Sequence, residues 1–272
     1  MADAAGLRLT CVVAHPDDES LGFGGTLARY ASEGVEVSLV AATRGERGRY
    51  GDGSESHPGP DELGRIREAE LRAAAEALGV RHVGFLDYRD GELDAAEPVE
   101  AAKRIAVCLR ELRPHVLLTF DPFGVYGHPD HIAISQLAIA GALRAAAPGP
   151  LGDGRDAPHQ VQKAYYRAWS PTARKRFEGA FKPLRSTVDG EVRAPFDWPV
   201  WSVTTAVAAH DHWEKVWEAV RCHRTQMAQY GPLSELGPED HRAIWGSQEY
   251  YRVFSLVNGG RAREEDLFEG LR

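Results

Sequence analysis

Short apolar runs alternate with longer, partly polar segments through the first half of the chain. The apolar runs are rich in valine and leucine, as buried parallel strands are, and they cover residues 7–14, 35–43, 83–86 and 115–120. The segments that follow them predict helices over residues 22–33, 61–78, 98–112 and 132–147.

This order of elements predicts an α/β fold. Four strand–helix repeats favour a Rossmann-like, doubly wound, mainly parallel sheet with helices on both faces in a single domain. Residues 1–147 are expected to form its core, and a turn-rich connector at 148–158 leads into a variable region, 148–272, on the substrate side. In that region the sequence predicts strands at 163–169 and 250–256, a loop at 184–199 and helical character at 210–230.

Composition and charge narrow the classes of function. The 272-residue chain is 43% hydrophobic and has a formal net charge of −8, which argues against nucleic acid as its partner. No apolar run reaches the roughly 18–20 residues that cross a bilayer, and the first residues lack the basic and apolar regions of a secretion signal. Three sparse cysteines, Cys11, Cys108 and Cys222, are expected to be reduced thiols, so we expect a cytoplasmic protein without a membrane partner.

Two polar segments follow the first and fourth predicted strands. Residues 14–19 (AHPDDE) come directly after the first strand, and residues 126–131 (YGHPDH) come after the fourth. Because a doubly wound sheet binds its ligands at the carboxyl ends of strands, we expect the two segments to meet at one edge. Either segment alone could be a capped helix start, whereas the two together indicate a site.

His15, Asp18 and His131 are the candidate metal ligands. A hydrolytic zinc site takes about three nitrogen or oxygen ligands from the protein and keeps one position open for water. The metal lowers the pKa of that water to about 7 and polarises a carbonyl. Pro16 limits the freedom of the turn between the first two ligands. The sequence therefore predicts zinc, with ferrous iron or another divalent metal as the alternative.

The other polar residues of the two segments supply acid–base groups. Asp17 is the natural base for the water, because its neighbour Asp18 is committed to the metal. His128 fits an imidazolium that donates to the oxyanion and to the leaving amine, with Asp130 orienting it and raising its pKa. Tyr126 adds a hydroxyl donor near the oxyanion. The predicted reaction is hydrolysis of an amide.

These segments resemble the signatures of the LmbE-like, or PIG-L, superfamily of zinc-dependent N-acetylglucosamine deacetylases, which are AHPDDE and a later HPDH. The similarity is good over about residues 7–147, where residues 43–48 (TRGERG) and the helix at 67–79 also look like family segments. Beyond this region it weakens to residues 223–226 (HRTQ).

The resemblance implies roles for individual residues. The family's zinc ligands fall on His15, Asp18 and His131. Its base falls on Asp17, and its acid or oxyanion histidine falls on His128. Sugar-hydroxyl contacts in relatives fall on Arg67, Asp90 and, less closely, Glu46. Arg67 has an alternative interpretation as an ordinary solvated helix residue paired with Glu70.

The resemblance also implies an enzyme, a metal-dependent N-deacetylase that removes the acetyl group from a small-molecule N-acetylglucosamine conjugate. Inositol and malate conjugates of low-molecular-weight thiol synthesis are examples among relatives. The group attached to the sugar stays open for this chain, and so does a homo-oligomeric state.

Other functions remain alternatives. A zinc amidase acting on a thiol conjugate or another non-sugar amide would use the same residues. A non-catalytic sugar- or metal-binding module would lack the base or the acid, whereas Asp17 and His128 are both present. A nucleotide-binding Rossmann-like protein is the remote alternative, because residues 22–27 (GFGGTL) hold glycines but place Leu27 where a dinucleotide fingerprint needs glycine or alanine.

Overall fold

The computed structural model describes residues 6–54, 56–151 and 157–272, so part of the predicted connector at 148–158 lies outside the described residues. The strands are β1 Arg8–Val13, β2 Glu36–Ala41, β3 His82–Phe85, β4 Val116–Thr119, β5 Lys163–Ala168, β6 Ser186–Val188, β7 Glu191–Arg193, β8 Thr205–Ala208 and β9 Ser247–Ser255. The helices are α1 Gly24–Ser32, α2 Pro60–Leu78, α3 Pro98–Leu112, α4 Gly124–Gly127, α5 Pro129–Ala146, α6 Pro171–Ala180, α7 Trp213–Cys222, α8 Gly231–Ser234 and α9 Pro238–Trp245. Within the described ranges, none of the helices has the length and apolarity that a bilayer crossing requires.

Seven strands form one sheet in the order β3–β2–β1–β4–β5–β9–β8. The five neighbouring strands β3, β2, β1, β4 and β5 are parallel to one another. β9 pairs antiparallel with β5, and β8 pairs antiparallel with β9. The expected single-domain α/β fold with a mainly parallel, Rossmann-like sheet is confirmed. The chain order reverses between β1 and β4, and doubly wound sheets bind ligands outside the carboxyl ends of the strands at such a point.

Helices cover both faces of the sheet. α3 packs against α5, and α2 packs against α7. The crossovers through α1 and α2 run along the sheet from β1 toward β3, and those through α3 and α5 run the other way, toward β5. Because parallel crossovers are right-handed, the two pairs of helices lie on opposite faces of the sheet. The β1 strand between these layers is buried from its second residue onward, with no exposed surface on Leu9, Cys11, Val12 or Val13. The loops that follow β1 and β4 are therefore anchored on rigid elements.

The helices beside the two polar segments differ from prediction at their starts. The helix expected at 22–33 is α1, preceded by one π-helical turn at Glu19–Phe23. The helix expected at 132–147 begins three residues early, at Pro129, because proline fits a first helical position whose N–H would have no partner. Both polar segments consequently run straight into helical turns.

The second half contains elements that the sequence pattern did not reveal. Residues 184–199, expected as a loop, include the β6–β7 hairpin. The helical region expected at 210–230 divides into α7 and a 3₁₀ turn, Arg224–Tyr230. The strands β6, β7 and β8 are only three or four residues long, which is too short for a clear hydrophobic period.

Candidate active site

The two polar segments meet where β1 and β4 pair. His15 comes two residues after β1, and the turn that follows holds Asp17 at φ 97°, a left-handed conformation that aspartate adopts more readily than most residues. In the other segment His128 caps α5, and His131 lies in the first turn of that helix. A short connection after β1 and a longer one after β4, which includes α4, thus bring the segments together.

Three side chains present donor atoms to one another. His15 Nδ1 lies 3.3 Å from His131 Nε2 and 3.5 Å from Asp18 Oδ2, and Asp18 Oδ1 lies 3.3 Å from His131 Nε2. Ligands about 2.0–2.1 Å from a tetrahedral centre are separated from one another by roughly 3.3 Å. All three residues are more than nine-tenths buried. Their spacing and donor chemistry therefore fit a divalent cation.

Two other groups of side chains overlap with this one and come close enough to hold a metal. One consists of His15, His128 and His131, and the other of His15, Asp90 and Asp130. In the first, His128 Nδ1 already accepts the Asp130 backbone N–H at 3.2 Å. In the second, both carboxylates lie at His15 Nε2, on the side of the ring away from His131. We therefore favour the set that contains Asp18.

The two carboxylates at His15 fix its orientation. His15 Nε2 donates to Asp130 Oδ2 at 3.1 Å and lies 3.2 Å from Asp90 Oδ1. Asp130 is held in turn by the N–H groups of Gly91 at 2.7 Å and Leu93 at 3.1 Å. With its proton on Nε2, the His15 ring keeps the Nδ1 lone pair toward the other two candidate ligands, as carboxylate-bound metal histidines do.

His128 differs from its predicted role in two ways. The expected contact with the Asp130 carboxylate is wrong, because that carboxylate binds His15 and only the Asp130 backbone N–H reaches His128. The expected rise in pKa is also wrong. Burial, reinforced by the neighbouring imidazoles of His131 and His15, lowers the pKa of His128 to about 4. Burial and these neighbours therefore favour the neutral imidazole of His128, with Nδ1 accepting and the proton on Nε2.

Aromatic rings border the other side of the site. The His131 ring stacks on Phe120, with centroids 4.1 Å apart and planes 7° from parallel. The Tyr126 ring lies 5.4 Å from His131 and 6.3 Å from His128. Burial raises the pKa of Tyr126, and nearby Asp18 adds to the rise, so its hydroxyl stays protonated. The Tyr126 ring thus lies beside the two histidines, and the role of its hydroxyl as a donor to the oxyanion stays a prediction.

Asp17 lies next to the three donor atoms but has partners of its own. Its Oδ2 accepts from Arg67 Nη2 at 3.1 Å and from the Tyr230 hydroxyl at 2.5 Å. Burial raises the pKa of the Asp17 carboxyl, Arg67 opposes the rise, and Asp18 adds to it. A carboxylate with a raised pKa is better matched to proton transfer near neutral pH. Tyr230 was not among the predicted site residues.

Arg67 ties the turn after β1 to the loop after β2. It is 4% exposed, so its interpretation as a solvated helix residue is wrong. Its Nη1 donates to the Gly45 carbonyl at 2.7 Å and its Nη2 to the Pro16 carbonyl at 2.5 Å. A Cβ at Gly45 would lie 2.1 Å from this guanidinium, so glycine is required there. Glu70, the alternative partner, binds Thr225 instead.

The other predicted sugar contacts, Asp90 and Glu46, support neighbouring loops. Asp90 lines the cavity described below, and its Oδ2 accepts the Arg47 N–H at 3.0 Å. Glu46 accepts the Asp90 N–H at 3.0 Å and does not appear among the described residues that line the cavity. Contacts of Arg67, Asp90 and Glu46 with a sugar stay predictions.

A buried pair behind Asp17 was also not predicted. Glu19 and His223 have no exposed surface, and His223 Nε2 lies 2.7 Å from Glu19 Oε1. Ser20 Oγ donates to the same oxygen, while Glu19 Oε2 accepts the Asp17 N–H at 3.0 Å. The histidine of the HRTQ segment therefore lies behind the cavity wall, whereas Gln226 of the same segment lines the cavity directly.

A cavity of about 600 Å³ opens above the candidate site, a size typical of small-molecule sites. Its floor is formed by the two polar segments, and Arg67 and Asp90 reach it from the side. Residues 47–49 and 181–186 form much of its mouth, and the buried rings of Trp169 and Phe177 line its wall. Part of the region after residue 148 thus borders the space where a ligand would bind.

Residues 10–142 match the PIG-L family, described as GlcNAc-PI de-N-acetylase. The chain is 37% identical over 305 residues to a 1D-myo-inositol 2-acetamido-2-deoxy-alpha-D-glucopyranoside deacetylase of Streptomyces avermitilis, an alignment covering 100% of this chain and 99% of that protein. The resemblance inferred from the AHPDDE and HPDH segments is confirmed.

Solved structures share the fold at lower identity. The N,N'-diacetylchitobiose deacetylase of Pyrococcus horikoshii has a TM-score of 0.66 at 22% identity, covering 90% of this chain and 83% of that chain. The 4-carboxy-2-hydroxymuconate hydratase of Pseudomonas putida has a TM-score of 0.65 at 21% identity, covering 94% and 100%. Because a hydratase has the same fold, the reaction has to be inferred from the site.

Proposed function

We propose, because the chain belongs to the PIG-L family of de-N-acetylases, that it hydrolyses the N-acetyl group of an N-acetylglucosamine conjugate. The proposal depends above all on one observation, the convergence of His15 Nδ1, His131 Nε2 and the Asp18 carboxylate beside Asp17. Three ligands of nitrogen and oxygen type, a base and an adjoining cavity are what metal-assisted amide hydrolysis requires.

His15, Asp18 and His131 would hold the divalent cation. Bound there, the cation supplies a Lewis acid for the amide carbonyl and makes a water molecule more acidic. Two imidazoles and one carboxylate at tetrahedral spacing favour zinc, and the same ligand types suit ferrous iron as the alternative.

Asp17 moves the proton in this proposal. It takes one from the attacking water as oxygen bonds to the acetyl carbon, while Arg67 and Tyr230 hold its carboxylate in place. The same proton then passes to the amide nitrogen as the C–N bond breaks, which gives a free amine and acetic acid, and the acid then ionises to acetate. A single carboxyl is able to do both because burial raises its pKa toward the working range.

His128 and Tyr126 serve as donors to the developing oxyanion. As a neutral imidazole, His128 is able to donate its Nε2–H but has no spare proton for the leaving amine. We therefore assign protonation of the amine to Asp17. The expectation from the sequence was that His128 would protonate it. The cytoplasmic location and the homo-oligomeric state stay predictions.

A panel of substrates tests the function. Acetate release is measured for N-acetylglucosamine conjugates, including the inositol conjugate, and for matched N-acetyl amides without a sugar, such as a thiol conjugate. The sugar proposal expects kcat/KM to be at least about 10-fold higher for a sugar conjugate, since unpaired polar groups in a site penalise substrates that lack the matching hydroxyls. Faster hydrolysis of a non-sugar amide would favour the amidase alternative.

The purified protein is expected to contain about one divalent cation per chain, and His131→Ala is expected to lower the metal affinity by more than about 100-fold. Loss of one of three ligands should exceed the 10–100-fold effect of losing an outer hydrogen-bond partner. Elemental analysis after dialysis against graded chelators measures both. His82→Ala, on the half-exposed β3 edge, is the control and should retain the metal. Equal metal content in His131→Ala and wild type would exclude His131 as a ligand.

Tyr230→Phe is expected to lower kcat by about 10-fold or more, because it removes a 2.5 Å hydrogen bond to the Asp17 carboxylate, and such bonds to charged groups contribute about 1.5–3 kcal/mol. KM and metal content should stay near the wild-type values. Tyr88→Phe, a tyrosine that is not among the described cavity-lining residues, serves as the matched control. An unchanged kcat would show that Tyr230 has no part in positioning the base.

A further inference from the structure

The mouth of the cavity carries positive charge that the described part of the chain does not neutralise. Arg49, Lys182 and Arg185 line it, and across the three described ranges none of them forms an ion pair with a carboxylate. The two other arginines of the lining are different, since Arg47 pairs with Glu92 and Arg67 pairs with Asp17. The unpaired cations are therefore concentrated at the entrance.

This concentration contrasts with the charge of the whole chain. The chain has 40 acidic and 32 basic residues, a net charge of −8. The carboxylates of the cavity lining belong to Asp17 and Asp18 on the floor and to Asp90 at its side, and all three have partners. Where carboxylates are in excess, a cluster of unpaired cations above a polar floor creates a local field that favours an anionic ligand.

The segments that carry these cations are fixed in place. Ser186 Oγ donates to the Tyr126 carbonyl at 2.8 Å, which joins the segment of residues 181–186 to the loop between β4 and α5. Gln226 Nε2 donates to the Arg49 carbonyl at 2.8 Å. The entrance is thus held from two sides, and its charged side chains start from defined backbone positions.

Lys182 lies close to the reacting centre. Its ammonium is 4.7 Å from the centre of the Phe181 ring and 5.6 Å from that of Tyr230, whose hydroxyl binds Asp17. One tyrosine ring therefore separates the ammonium from the base. Burial lowers the pKa of Lys182, the Asp17 carboxylate opposes this, and the Arg49 guanidinium adds to it. Two cations near each other would both gain from an anion bound between them.

We propose that the group attached to the sugar carries an anion, a carboxylate or a phosphate, that binds Arg49, Lys182 and Arg185. This inference rests on the proposed function, because it names the class of conjugate that the deacetylation site accepts. Arginine binds both kinds of anion through two parallel N–H donors, and lysine binds them as a point charge. The acetamide would lie on the floor and the anion at the entrance.

Two matched substrate pairs test the proposal. One pair is an N-acetylglucosamine glycoside that bears a carboxylate and the same glycoside with a primary amide. The other is the inositol conjugate with and without a phosphate on the inositol. We expect kcat/KM to be about 10-fold higher for a charged member than for its neutral partner, and the advantage to shrink as ionic strength rises. The pair with the larger ratio of charged to neutral kcat/KM shows whether the site prefers a carboxylate or a phosphate.

Variants connect the preference to the named residues. Arg49→Gln and Lys182→Gln are each expected to lower kcat/KM for the charged member by about 10-fold and to leave the neutral member within about 2-fold. Lys175→Gln makes the same charge change at an exposed position of α6 outside the described cavity lining, and it should affect neither member.

The possible failures are distinguishable. Equal kcat/KM for charged and neutral members of both pairs would overturn this inference and leave the deacetylation standing. Equal losses for both members in Arg49→Gln and Lys182→Gln would overturn it too, since they would indicate a structural role. If the metal-loaded protein released acetate from none of the conjugates, the proposed function itself would be wrong, and this inference with it.

Discussion

Replacing Asp17 with asparagine is expected to lower kcat for acetate release by a factor of about 10²–10⁴, the range for removal of a general base. Asparagine keeps an acceptor for Arg67 and Tyr230, but it cannot take a proton from water. It also tolerates the left-handed φ of 97° at this position better than alanine would. The loss should therefore come from proton transfer and not from a change in the fold.

Metal content and turnover of Asp17→Asn should be measured on the same preparation. The metal is expected to stay, because the proposed ligands His15, Asp18 and His131 are unchanged. Asp94→Asn, an exposed aspartate after β3, makes the same chemical change and should alter neither quantity. Turnover of Asp17→Asn above about one tenth of wild type would remove this residue from the role of base.

The meeting of the two polar segments could be predicted because it depends on short-range rules. β1 and β4 are nearly continuous apolar runs, and parallel strands with right-handed crossovers bring their carboxyl ends to one edge. His15 follows β1 by two residues, and His131 lies in the first turn of α5, the second helix after β4. The connection after β4 is longer, since residues 120–128 with the kinked turn α4 lie between this strand and α5.

The partner of Asp130 could not be predicted in this way. Along the chain its nearest imidazoles are His128 and His131, which suggested an orienting contact with His128. The carboxylate is instead drawn to His15 by the N–H groups of Gly91 and Leu93, which are 39 and 37 residues away in sequence. Contacts of that range depend on how the loop after β3 lies against α5, and no local periodicity encodes it.

The contributions of the second half were the least predictable. Tyr230 belongs to a 3₁₀ turn after α7, and its contact with Asp17 joins residues 213 positions apart. The HRTQ segment was the sequence signal that this region reaches the site, and the structure places its histidine against Glu19 behind the base. Lys182 follows the short helix α6 in the region expected on the substrate side, but the weak apolar pattern of α6 did not single out this residue for the cavity mouth.

Replacing Glu264 with glutamine is expected to lower the free energy of unfolding by about 3–5 kcal/mol, the range for breaking a buried ion pair. Glu264 is 1% exposed and accepts from Lys163 Nζ at 2.7 Å, from Arg252 Nη1 at 2.8 Å and from Thr205 Oγ1 at 2.7 Å. Lys163 has no exposed surface. In the glutamine variant its ammonium keeps neutral acceptors, the Glu269 carbonyl at 2.8 Å and the new amide oxygen, but it loses its carboxylate counter-charge.

The size of this effect should depend on pH. Burial by itself would raise the pKa of Glu264, but Lys163 and the other donors lower it to about 2. Because this folded-state pKa lies below the unfolded value of about 4.3, the stabilisation is fully present above about pH 4.5 and is lost as the pH falls toward 2. The difference in unfolding free energy between wild type and Glu264→Gln, measured by urea titration, should shrink over that range.

Glu239→Gln is the matched control for this prediction. Its side chain on α9 is 89% exposed, so the same substitution should change the free energy of unfolding by less than about 0.5 kcal/mol. A difference for Glu264→Gln that stayed constant between pH 6 and about pH 2.5 would contradict the charge argument. It would mean that Glu264 joins the C-terminal segment to β5, β8 and β9 through shape and neutral hydrogen bonds alone.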